Sequence, residues 1–212
     1  MTEHADVTAT RTAYDTVAAD YADLLRTELA GKPLERGLLG TFAELVGPDG
    51  EVGDLGCGPG RVTAYLDSLG LRAFGVDLSP GMVEVARRDH PTLRFEVGTI
   101  ADLDLPDGAL AGIVAWYSII HTPRERLPGV FAEFHRVLAP GGRLLLAFQL
   151  GDEIRHIEHG YGHDIVLDAY RLSPDRVTDL LADAGLTVDT RVVRQPEGWE
   201  PTPQAYLLGH KG

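Results

Sequence analysis

Hydrophobic and polar positions divide the chain into two regimes. From Asp6 to Leu29, alanines, leucines and tyrosines recur at helical spacing without a Gly or Pro, which predicts one or two helices. Leu34 to Val46 is a second helical stretch, stopped by the turn signal Gly47-Pro48-Asp49-Gly50. Beyond it, short apolar runs alternate with helical segments. Strands are predicted over Glu51–Leu55, Arg72–Val76, Leu93–Gly98, Gly112–Tyr117, Arg143–Gln149, Leu186–Val193 and Ala205–His210. Between them lie helices over Arg61–Leu69, Ser79–Arg88, Arg124–Leu138 and Pro174–Ala184. Ser79-Pro80 supplies an N-cap and a first helical residue, and Gly185 closes the last helix. The near-continuous apolar character of Arg143–Gln149 suits a strand buried on both faces. Strands alternating with helices argue an α/β fold with a doubly wound parallel sheet.

Composition narrows the partners more than the fold. The chain has 212 residues, 44% of them hydrophobic, enough for one α/β domain. No apolar run reaches the roughly 18 residues of a membrane span. Met1 to Arg11 is polar and mixed in charge, with no apolar signal-peptide core, so a cytoplasmic location is expected. Asp and Glu number 32 against 19 Lys and Arg, a net charge of −13. That field repels phosphate backbones, and no basic stripe overrides it, so nucleic acid is a poor candidate substrate. The single cysteine, Cys57, sits between two glycines and reads as a small filler in a turn.

The most informative stretch is Val52-Gly53-Asp54-Leu55-Gly56-Cys57-Gly58-Pro59-Gly60. A strand feeds a turn that permits close approach of a ligand to the backbone, and the next helix points its free N–H groups at that ligand. Asp77 ends the second strand, 21 positions after Gly56, where a carboxylate can accept both hydroxyls of a ribose. The competing reading of Asp77 as a helix N-cap is weakened by Ser79, which fills that role. Dinucleotide enzymes use G-x-G-x-x-G; the spacing here is G-x-G-x-G, with Asp54 at the strand end. A carboxylate there would repel a pyrophosphate and suit the amino group of a methionine moiety.

With these residues in place, the chain resembles the class I S-adenosylmethionine-dependent methyltransferases, in the small-molecule branch around the ubiquinone/menaquinone-type and methyltransferase domain 11 and 25 families. Four blocks carry the resemblance, in order, within residues 12 to 150: Asp54–Gly60, Gly75–Ser79, Ile113–His121 and Arg136–Gly142 with its following strand. The resemblance implies a Rossmann-like, seven-stranded, mostly parallel sheet with an antiparallel last strand and a helical N-terminal cap. It implies one domain, divided into the cap (1–46), a cofactor-binding core (51–150), an acceptor-site insert (151–171) and a C-terminal helix with strands (172–212).

The cofactor implied is S-adenosylmethionine. Gly56 and Gly58 would lie against its methionine part, with Asp54 near the amino group and Tyr21 near the carboxylate. Asp77 would bind the ribose. Leu78 and Met82 would cover one adenine face, with Ile100 and Ala101 on the other. Relatives often carry an acid where this chain has Thr99, and Asp102 is the candidate replacement; they usually carry Asp where this chain has Gly112. Tyr14 and Tyr21 can equally be core-facing aromatics of the cap.

Methyl transfer from a sulfonium is an in-line displacement, so the protein mainly aligns the reactants and excludes water. A base is needed only if the nucleophile arrives protonated. His121, just beyond the fourth strand, is the catalytic candidate for that task, against a plain loop-packing role. Tyr14, Trp116, Tyr117 and Ser118 are candidates to wall the acceptor site. So are His156, His159 and Tyr161 from the insert. The spacing of His156, His159 and His163 invites a metal reading, but Gly160 and Gly162 interrupt any helix that would align ligands, so no metal is expected. There is no Asn/Asp-Pro-Pro-Tyr after the fourth strand and no Pro-Cys pair. What remains is a small organic acceptor. The alternatives are an NAD-dependent oxidoreductase and a cofactor-binding protein without transfer activity.

Overall fold

The computed structural model describes residues 4–198 and 200–212; the first three residues of the polar N-terminal stretch lie outside them. Strands β1 (Glu51–Leu55), β2 (Arg72–Asp77), β3 (Arg94–Val97), β4 (Leu110–Trp116), β5 (Leu138–Gln149), β8 (Leu186–Arg194) and β9 (Gln204–Lys211) form one seven-stranded sheet. Its order is β3-β2-β1-β4-β5-β9-β8. The first five strands pair in parallel, and β9 runs antiparallel to both β5 and β8. This is the mostly parallel sheet with an antiparallel last strand that the sequence predicts. The order reverses between β1 and β4, and crevices at such switch points hold ligands in open α/β sheets.

Among the described residues six α-helices, α1 (Ala5–Leu25), α2 (Pro33–Val46), α3 (Arg61–Ser68), α4 (Pro80–Asp89), α5 (Leu127–Val137) and α6 (Pro174–Asp183), complete the layers. Side chains alternate across the sheet, as the strand period requires. Ile113 and Ala115 of β4 face Phe131, Phe134 and Leu181 of α5 and α6, whereas Val114 and Trp116 face Leu39, Phe42 and Leu66 of α2 and α3. Only α1 therefore acts as a cap, and α2 belongs to the covering layer. Ala13, Val17, Ala18 and Ala22 of α1 pack on Met82 and Val85 of α4.

The insert between β5 and α6 forms a separate antiparallel hairpin, β6 (Ile154–Gly160) and β7 (His163–Tyr170). Its two-residue turn, Tyr161-Gly162, has positive φ at both positions (55° and 84°), the geometry that matches the twist of paired strands. Ile165 and Leu167 pack the hairpin onto α1, while Asp164 and Val166 point outward.

Gly112 explains a departure noted in the sequence. A Cβ built there would lie 2.7 Å from Phe42 and 2.9 Å from Val46, so α2 leaves no room for a side chain. Gly112→Ala is expected to lower stability by about 1–3 kcal/mol through overpacking. Gly112→Asp should cost more, because it also buries an unpaired carboxylate. Urea midpoints at unchanged slope check this; a wild-type midpoint for the Asp variant would refute the packing of α2 against this strand.

Candidate cofactor and acceptor site

The carboxyl ends of β1, β2 and β4, the segment after β3 and one face of α1 line a cavity that opens to solvent. The glycine turn after β1 forms its floor. Gly56 and Cys57 donate backbone hydrogen bonds to the Val76 carbonyl (2.7 and 3.1 Å), pinning the turn to β2. Gly56 has φ +81°, and a Cβ on it would fall 2.2 Å from that of Ser118, so only glycine lets the segment after β4 approach.

Asp77 joins the two loops. Its carboxylate accepts the Gly58 N–H at 2.7 Å and the Ser79 N–H at 2.9 Å. Burial pushes its pKa up to about 6, against the pull of those two hydrogen bonds. Ser79 caps α4 as predicted, accepting from the Met82 N–H at 3.0 Å. It also donates to Asp15 at 2.6 Å, and Asp15 accepts the Gly81 N–H at 2.9 Å. These bonds lock α1 over the glycine-turn side of the cavity.

Asp54 does not line the cavity but lies completely buried beneath the turn. Thr63 donates to its Oδ2 at 2.6 Å, and its Oδ1 has no partner. Burial pushes its carboxyl up to about 7, opposed by Thr63 and by Arg61. Two further buried polar atoms without a hydrogen bond flank the same turn, Arg61 Nη1 and Ser118 Oγ. Arg61 lies beside Tyr21, whose hydroxyl burial raises and the guanidinium lowers. Arg61 is not among the site residues expected from the sequence, whereas Ser118, expected beside Trp116 and Tyr117, is in the cavity lining.

On the other side of the cavity, His121 is held at both ring nitrogens. Nδ1 lies 2.8 Å from the Asp168 carbonyl oxygen and Nε2 2.7 Å from the Tyr14 hydroxyl. Burial pushes the imidazole below the ordinary histidine range, so it is neutral at pH 7. Trp116 and Tyr117 form the wall beside it, and Tyr117 holds a left-handed backbone (φ 58°) with its hydroxyl 3.3 Å from that of Tyr206. Tyr206 donates in turn to Glu35, which is buried and paired with Arg194.

Several expected residues stand elsewhere. Asp102 is exposed and outside the cavity, because the chain turns away there and leaves Thr99, Ile100 and Ala101 as the wall. His156 and His159 are also outside it, exposed on β6 and paired with Asp168 (2.6 Å) and Asp164 (3.0 Å) across the hairpin. His163 pairs with Asp20 of α1 at 2.7 Å. Among the described residues no group of three His, Cys, Asp or Glu is placed to hold a metal ion. Tyr161 lies at the hairpin tip, its ring 5.0 Å from that of Tyr21 in an edge contact. Leu78, Met82, Tyr14 and Tyr21 line the cavity. So do Val7, Thr10 and the Asp6–Arg126 ion pair (2.5 Å), which sequence reasoning passed over. The signal for α1 was present: residues 7, 10, 14 and 21 fall on one helical face.

Comparison with known proteins places this geometry. Residues 52–142 match the methyltransferase domain family. The trans-aconitate 2-methyltransferase of Methylobacterium nodulans is 32% identical over 75% of this chain and 63% of its own length. The malonyl-[acyl-carrier protein] O-methyltransferase of Serratia marcescens is 33% identical over 47% of this chain and 38% of its own. The matches thus span less than two thirds of either relative. The 1,6-didemethyltoxoflavin-N1-methyltransferase of Burkholderia thailandensis shares the fold, with a TM-score of 0.76 at 21% identity over 100% of this chain and 91% of that one. Within residues 52–142 the chain is thus similar to the methyltransferase domain family, and its fold is shared with solved S-adenosylmethionine-dependent methyltransferases.

The raised carboxyls predict a pH dependence. Asp54 and Asp77 hold protons in the folded state that they lose near 3.8 when unfolded. The native state therefore binds more protons between pH 4 and 7 (about 7 for Asp54, about 6 for Asp77), and stability falls as pH rises through that window. Denaturant unfolding should show a steeper loss for the wild type than for an Asp54→Asn, Asp77→Asn double variant. Equal slopes would contradict the burial of these carboxyls.

Proposed function

We propose that this protein transfers the methyl group of S-adenosylmethionine to a small organic acceptor held in the cavity beside Tyr14 and His121. The observation that carries this reading is the cavity itself, which brings Gly56 and Gly58 of the turn, Asp77, Leu78 and Met82, and Ile100 and Ala101 to one lining. Arg61, whose Nη1 is ion-paired with Glu28 at 3.4 Å, lies beside Tyr21 of this lining, where its guanidinium suits a carboxylate. A pyrophosphate over the turn would meet the negative charge of ionised Asp54 beneath it.

When bound, S-adenosylmethionine supplies a methyl group already activated on a positively charged sulfur. The chain's own residues bind and orient. Asp77 retains lone pairs for the ribose hydroxyls after accepting its two backbone N–H groups. Leu78 and Met82 would hold one face of the adenine and Ile100 and Ala101 the other, while Tyr21 with Arg61 would hold the carboxylate. Trp116, Tyr117 and α1 exclude water from the acceptor side. The relatives' names cover O- and N-methylation and a group on a carrier protein, consistent with the small-molecule branch. The net charge of −13 opposes a nucleic-acid acceptor. No described helix is long and apolar enough to cross a membrane, and the site of action proposed is the cytoplasm.

Asp77→Asn keeps the volume and one acceptor oxygen but removes the charge. It should weaken S-adenosylhomocysteine binding by about 1.5–3 kcal/mol, the scale of hydrogen bonds to charged groups. Titration calorimetry measures it, and unchanged affinity would sink the ribose assignment. A metabolite panel assayed for S-adenosylhomocysteine release should then reveal the acceptor.

A further inference from the structure

The hydrogen bonds of His121 determine which nitrogen carries its proton. The Asp168 carbonyl oxygen has only lone pairs, so Nδ1, 2.8 Å away, must be the donor. A neutral imidazole with its proton on Nδ1 has a bare Nε2. The Tyr14 hydroxyl, 2.7 Å from Nε2, must therefore donate to it. Tyr14 makes no other side-chain hydrogen bond among the described residues, so its oxygen keeps lone pairs for a group in the cavity that both residues line.

We propose that Tyr14 and His121 form a two-residue proton relay for an acceptor that arrives protonated at oxygen or nitrogen, with Tyr14 touching the acceptor and the hairpin's Asp168 carbonyl holding His121 in the receiving tautomer. This rests on the methyl-transfer reading. The relay breaks the acceptor's O–H or N–H bond, whose electron pair stays on the acceptor as it takes the methyl group. That proton forms a new O–H bond on Tyr14. The original Tyr14 proton passes to His121 Nε2, which becomes an imidazolium and later returns its proton to water.

Three features suit this path. Burial, with Tyr21, Tyr161 and Asp77 nearby, holds the Tyr14 phenol well above its ordinary range, so Tyr14 passes a proton on and does not rest as a phenolate. His121 starts neutral and can receive. The hairpin that fixes its tautomer also packs on α1, the helix that carries Tyr14, through Ile165 and Leu167. His121 is thus a positioning and proton-receiving residue behind Tyr14.

Asparagine separates relay from packing. In His121→Asn the amide N–H can still donate to the Asp168 carbonyl and the amide oxygen can accept from Tyr14, but the side chain cannot take a proton. Single-turnover methylation of alcohol, phenol and amine metabolites at saturating S-adenosylmethionine should fall by about 10²–10⁴-fold in both His121→Asn and Tyr14→Phe. Melting temperature should stay near wild type in the Asn variant, and S-adenosylhomocysteine affinity should change less than about tenfold. A fully active Asn or Phe variant would overturn the relay. Nitrogen-15 NMR of the S-adenosylhomocysteine complex needs no acceptor. It should show His121 protonated at Nδ1 and bare at Nε2, with the Nε2 signal shifting in Tyr14→Phe; a proton on Nε2 would overturn the proposal. Failure of the wild type to bind S-adenosylhomocysteine would instead refute the methyl-transfer reading itself.

Discussion

The site depends on one buried carboxylate. Asp77 ends β2 and takes the Gly58 N–H on one oxygen and the Ser79 N–H on the other, which sets the glycine turn and the start of α4 against each other. Each bond to a charged group is worth about 1.5–3 kcal/mol, and together they offset much of the cost of burying it. The consequences run outward through hydrogen bonds. Ser79 caps α4 and holds Asp15, Asp15 anchors α1, and α1 carries Tyr14 to His121, whose other nitrogen meets the hairpin. A chain of short polar contacts thus links the cofactor side to the acceptor side, over an apolar packing of α1 on α4 and β7.

The parts legible in the sequence were those with local causes. The strand and helix alternation, the turn at Gly56, the Ser79 cap and the aspartate after β2 follow from patterns within a few residues of each other. The hairpin is not among the predicted strands, although Ile165, Leu167 and Ala169 alternate with outward positions, because β6 buries no alternating apolar face of its own. His156 and His159 fall outside the cavity because on β6 they share the outer face with the acids that pair with them. Contacts distant in sequence could not be read at all. Tyr14 meets His121 across 107 positions, and Asp168 joins them only through a backbone carbonyl, which leaves no mark on residue type. Asp77 was read for its ribose chemistry, and its structural task of joining two loops came only with the fold.

The geometry also weighs the competing readings. A degenerate binding protein would be expected to fill its acceptor side, yet the cavity is open from the glycine turn to the Asp6–Arg126 pair. A dinucleotide enzyme would place phosphates over the turn, where Asp54 sits buried with one oxygen unpartnered. Asp54 does not line the cavity, but the negative charge it carries when ionised opposes a phosphate above the turn.

The most direct measurement is calorimetric titration of the wild-type protein with S-adenosylhomocysteine and, separately, with NAD⁺. The account predicts saturable one-to-one binding of S-adenosylhomocysteine, accompanied by a rise in melting temperature with ligand concentration, and no heat of binding from NAD⁺. Saturable binding of NAD⁺ with none of S-adenosylhomocysteine would contradict it.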